Sequence, residues 1–172
     1  MTATILGLML TILCAGNGTA QAEGSPQATS RRNSLIATAL TRAAVTEKDV
    51  PDFDGIHDKQ RIPLLDTTEW GQAWGEKIPL DALPKIENVK FILLSKEELQ
   101  RRANEQGAFA YLAVGRVAVE ASSATIYVGT HWALPEPRDS RIVYLCGGAY
   151  ELRYTWRNGK WLFDRILGIG IS

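Results

Sequence analysis

The sequence predicts an α+β fold, with N-terminal helices packed on a curved antiparallel sheet that ends in a four-stranded meander. Three observations carry this. Asn158-Gly159 stands between two strand-like runs and suits a two-residue type I′ turn, where both central residues need positive φ. Ser95-Lys-Glu-Glu98 has the S-x-x-E form of a capping box, in which the serine and the glutamate each satisfy an orphan amide at a helix start. Leu35, Ile36, Ala39, Leu40, Ala43 and Ala44 recur at three-to-four spacing and give one apolar helical face.

The chain divides into an export signal over residues 1–22, a flexible leader over 23–33 and a single α+β domain over 34–172. Ile5 to Cys14 is almost continuously apolar, and Ala20-Gln21-Ala22 offers a small-x-small cleavage site before Glu23. The segment carries no Lys or Arg, so its amino terminus must stand in for the basic region. Leu13 before Cys14 fits a lipoprotein signal poorly, which favours export without lipidation. The expected location is therefore periplasmic or secreted, with no spanning segment after cleavage. Removal of 22 of the 172 residues takes away no charge, so 19 basic and 19 acidic residues remain and cancel. That balance argues against a nucleic-acid partner, which calls for a basic excess. Only Cys146 survives cleavage, so no intrachain disulfide forms and packing must hold the domain together.

Element by element, Ser34 caps the first helix, and Asp49 to Pro63 reads as a connection without periodicity. Thr67 or Thr68 caps a second short helix carrying Trp70 and Trp74 before Pro79 and Pro84 break the chain. Val89–Leu94 is a compact strand, and the capped helix after it runs to about Gln106, closed by Gly107. Strands follow at Phe109–Glu120, Ala124–Trp132, Ile142–Trp156 and Lys160–Ile169. In the last hairpin a two-residue turn sets Arg157 against Lys160, Trp156 against Trp161, Thr155 against Leu162, Tyr154 against Phe163 and Arg153 against Asp164. Alternation then gives Trp156, Tyr154, Leu152 and Tyr150 one face with Trp161, Phe163 and Leu167.

This order of elements, closing on a strand, a short turn and the strand beginning Gly159-Lys160-Trp161, resembles the nuclear transport factor 2-like (SnoaL-like) superfamily over about Ser34 to Ser172. Only the last hairpin is sequence-like. The resemblance implies a cone-shaped domain. It departs in one respect: the family has two strands before the last helix, and the sequence shows one, Val89–Leu94. A cystatin-like sheet wrapped around a single helix is the alternative. Such cones host isomerases, dehydratases and cyclases as well as binding and dimerising modules, so the resemblance brings no chemistry with it. The family's enzymes place an Asp/His or Tyr/Asp pair inside the cone, and no residue pair here matches by motif.

The candidate site residues are Trp70, Trp74, His131 and Trp132. Trp70 and Trp74 at i and i+4 share a helix face, either as an aromatic surface for a sugar, peptide or lipid or as cover for the open side of the sheet. His131 is the weak catalytic candidate, as a general base or a ligand contact, and alternation puts Trp132 on the opposite face. His57 stands among Asp52, Asp54 and Asp58, but Ile56 occupies the fifth position of a calcium loop, so the segment reads as a solvated acidic loop and no metal is expected. Cys146 before Gly147-Gly148 reads as a small buried hydrophobe beside a bend, and no phosphate loop or other cofactor motif is present. The functional expectation is an exported small-ligand-binding or protein-interaction module without catalysis. The alternatives are a small cone-fold isomerase, dehydratase or hydrolase using His131, and a dimerisation domain pairing with a second copy.

Overall fold

The computed structural model describes residues 25–70, 73–137 and 147–171. The expected export signal at 1–22, Cys14, Cys146 and the expected start of a strand at Ile142 lie outside the described residues.

Helix α1 spans Pro26–Thr46 and starts eight residues before Ser34, so most of the expected flexible leader is helical. The physical reason is local. Ser25 accepts the Ala28 amide at 3.1 Å, Pro26 brings the φ that a first helical residue needs, and no breaker follows until the chain turns at Glu47 (φ 53°). Leu35, Ile36, Ala39, Leu40 and Ala43 are all buried, as their spacing predicts, and a fully buried Leu or Ile contributes about 1.5–3 kcal/mol.

The stretch read as an aperiodic connection contains a 3-10 turn at Phe53–Gly55 and strand β1 at Arg61–Leu65. The short helix expected at Trp70 and Trp74 is instead a hairpin, β2 (Thr67–Trp70) against β3 (Ala73–Lys77), with Glu69 paired to Trp74 and Trp70 to Ala73. Strand β4 (Lys90–Leu94) and helix α2 (Lys96–Gln106) fall where the sequence places them. Ser95 and Glu98 form both bonds of the capping box, and Gly107 closes the helix at φ 91°. Strands β5 (Phe109–Val119), β6 (Ser123–Ala133), β7 (Gly148–Arg157) and β8 (Lys160–Ile171) complete the chain.

Six strands form one mostly antiparallel sheet in the order β4-β1-β5-β6-β7-β8. β1 runs parallel to both β4 and β5, and β5 to β8 pair antiparallel in sequence order. Two strands of this sheet, β1 and β4, therefore precede α2, where the sequence showed one. The closing hairpin keeps its predicted register from Arg157↔Lys160 to Tyr154↔Phe163, and Asn158 and Gly159 both have positive φ. Beyond that, irregularities shift it: Arg153 pairs with Arg165 rather than Asp164, Leu152 with Ile166, and Tyr150 with Ile169. Asp164 nevertheless stays 3.7 Å from Arg153.

The helices do not share a face of the sheet. α1 packs on the face carrying Leu112, Val114, Ile126, Val128, Leu152, Tyr154 and Trp161. α2 packs with Leu99 and Ala103 on the opposite face, against Leu65, Leu94, Ala113 and Ala133. The difference follows from β1 and β4, whose alternation offers apolar residues to both faces. Among the described residues no helix is long and apolar enough to cross a membrane.

Candidate functional site

The alternation of β6 separates two of the candidate residues. Trp132 lies on the α1 side, packed against that core, where a Cβ on Gly55 would stand 2.9 Å from its ring. His131 pairs with Tyr111 across the strands, and their rings stack with centroids 5.7 Å apart. Trp70 and Trp74 belong to the β2–β3 hairpin, so the four residues come from two faces of one sheet and from a separate ribbon.

Trp132 does line a concavity of about 440 Å³, with Phe53, Val50 and the charged residues Glu47, Lys48, Asp52 and Asp54. Lys59 bridges part of that acidic turn, 2.6 Å from Glu47 and 3.5 Å from Asp54. His57 is exposed beside it, and among the described residues no three His, Cys, Asp or Glu side chains converge as a metal site.

A second groove, of about 400 Å³, is built from residues that the sequence did not mark as a site. One wall is a stripe of α1 at helical spacing, Thr38, Thr41, Arg42, Val45 and Thr46; the other is Tyr154 on β7 and Phe163 on β8. The hairpin register sets Tyr154 opposite Phe163, and their rings meet edge to face at 5.8 Å. Arg42 lays its guanidinium over Phe163, 3.6 Å from the ring centroid, and holds Nε 2.7 Å from Asp49 Oδ2. Asp49 is only 8 % exposed and also accepts the Thr46 hydroxyl at 2.7 Å. The turn carrying Asp49 is tied to the sheet by the buried Thr130, whose hydroxyl donates to the Pro51 carbonyl.

Tyr154 is the unusual member. It is wholly buried, yet its hydroxyl has no hydrogen-bond partner among the described residues. Burial pushes the phenol far above the ordinary tyrosine pKa; Arg42 opposes the shift and Asp49 adds to it. The group is therefore a protonated donor across the physiological range. A buried polar atom left unpaired costs about 1–3 kcal/mol. Tyr154→Phe should thus raise stability by about 1 kcal/mol at neutral pH. The raised pKa favours the fold fully below pH ~10, and that contribution is lost as pH rises, because the unfolded chain then ionises and the folded one does not. From pH 9 to pH 11 the wild type should lose about 1.4 kcal/mol more than Tyr154→Phe in urea denaturation. Equal losses would show that the phenol is not held in the protonated form.

The groove is lined by one neutral donor, three threonine oxygens, a compensated cation and an aromatic wall, and among the described residues no base is placed on the Tyr154 hydroxyl. Comparison with known proteins gives no match to any family model, any curated protein or any solved structure.

Proposed function

We propose that this is an exported, periplasmic or secreted module that binds a small ligand without catalysis, and that the groove between α1 and the β7–β8 hairpin is its site. The supporting observation is the Tyr154 hydroxyl: a fully buried donor, unpaired by the described residues, at a groove of about 400 Å³. That volume is in the range of small-molecule pockets, about 300–1,000 Å³. The domain's resemblance to cone-shaped nuclear transport factor 2-like proteins, which include binding modules, is compatible with this reading and belongs to the proposal. A catalytic reading through His131 has less support, because that side chain stacks on Tyr111 and lines neither concavity.

A second reading, dimerisation, is favoured by one specific observation. β8 is an edge strand of 12 residues on which Leu162, Ile166, Leu167 and Ile169 are exposed, Ile169 to 66 %. A long apolar edge offers unpaired backbone groups to another strand. Native mass spectrometry of the exported protein tests both readings. The ligand reading expects a small-molecule adduct on the monomer that Val45→Trp, an exposed residue filling the groove, removes. The dimer reading expects twice the monomer mass, lost in Ile169→Lys. A bare monomer, with no adduct in either protein, would count against both.

A further inference from the structure

The groove's polar groups restrict what can enter it. Among the described residues Arg42 is the one charged residue lining it, and its charge is already met by Asp49 at 2.7 Å, so the site is electrically neutral. Asp49 is buried, and a second carboxylate would have to give up water to enter a place where the cation is spoken for. The threonines point the same way. Thr38 donates its hydroxyl hydrogen to the Ser34 carbonyl at 2.7 Å, and Thr41 donates to Ala37 at 2.8 Å. What they offer a ligand is lone pairs, which repel an anion and accept from an N–H. Tyr154 supplies the complementary group, an O–H that needs an acceptor.

A carbonyl acceptor beside N–H donors, uncharged, is the pattern of a carboxamide. Phe163 and the stem of Val45 add an apolar wall for the rest of the molecule. From this geometry we infer that the groove takes an uncharged, carboxamide-bearing small molecule, its carbonyl on the Tyr154 hydroxyl, its N–H groups toward Thr38 and Thr41, and its apolar body on Phe163. The inference rests on the reading of this groove as the ligand site.

Benzamide and benzoate, which differ in the one group at issue, serve as probes. Each is titrated into the full domain at neutral pH while the methyl NMR signals of Thr38, Thr41 and Val45 are followed. Benzamide should shift these methyls and saturate with a Kd on the order of millimolar, as a fragment of this size allows. Benzoate should bind at least about tenfold more weakly, because its charge must leave water without a free cation to meet it and faces threonine lone pairs. Tyr154→Phe should weaken benzamide about five- to tenfold, the range of one hydrogen bond, while its spectrum stays dispersed. Thr38→Val, which keeps Tyr154, should weaken it by a similar factor. Equal or tighter binding of benzoate would overturn the ligand class and leave the groove as a site. Shifts confined to other residues, or none with either probe, would overturn the groove itself. A benzamide affinity unchanged in Tyr154→Phe would remove the phenol from recognition.

Discussion

Gly129→Ala should destabilise the protein by about 3 kcal/mol, at the upper end of what overpacking costs, and lower its melting temperature by roughly 10 °C. Gly129 lies in β6 opposite Ala149 of β7. A Cβ built there would fall upon the Gly148 carbonyl oxygen and stand 2.6 Å from Ala149 Cβ and 2.7 Å from Ala149 Cα. Two of these three atoms are backbone and the third is fixed to it, so no rotamer change relieves the contact; β6 and β7 must part. Gly147 makes a related approach, where a Cβ would fall upon the Thr130 carbonyl oxygen. The control is Gly170→Ala on β8, where among the described residues an added Cβ meets only the Ala149 carbonyl oxygen, at 3.7 Å, and stability should stay within about 0.5 kcal/mol. Thermal denaturation of the two variants measures the contrast, and equal effects would show that the glycines reflect strand propensity and not proximity. Because Thr130 also anchors Pro51, parting these strands should loosen the turn that holds Asp49.

What the sequence made legible was set by how local each signal is. The capping box at Ser95 and the turn at Asn158-Gly159 are complete within four residues, and both stand in the structure as read. The closing hairpin stays in register as far as Tyr154↔Phe163 because the turn fixes it, and it departs where irregularities in β8 intervene. Trp70 and Trp74 show the opposite case. A separation of four residues serves a helix face and an alternating strand alike, so spacing could not decide, and the hairpin prevailed. The sidedness of the helices was equally hidden, since it depends on β1 lying between β4 and β5, a pairing between distant segments. The groove combines both situations. Thr38, Thr41, Arg42, Val45 and Thr46 form a stripe readable at helical spacing next to the apolar face of α1. Tyr154 was readable as a core-facing aromatic. Only the packing of α1 on β7 and β8 turns the two into one site, and no sequence spacing carries that contact.

Asp49→Asn should cost about 2 kcal/mol of stability and invert the groove's preference between the two probes. The cost lies between two limits. Exposed ion pairs are worth up to about 1 kcal/mol, and breaking a buried one costs about 3–5. Asp49 is buried while Arg42 keeps part of its side chain in water. Asparagine retains an oxygen for the Thr46 hydroxyl, so the loss falls on the Arg42 charge and not on the turn as a whole. Freed of its carboxylate, the guanidinium remains stacked on Phe163 and presents an uncompensated cation to the groove. A ligand carboxylate can then pair with the guanidinium from the groove side, with a charge-assisted bond about twice as strong as a neutral one. Benzoate should therefore bind this variant about tenfold more tightly than benzamide, the reverse of the wild type. The same methyl titration reads the result, with urea denaturation giving the stability change. If benzamide keeps its advantage in Asp49→Asn, selectivity does not come from the Arg42–Asp49 charge balance, and the threonine lone pairs alone must exclude the anion.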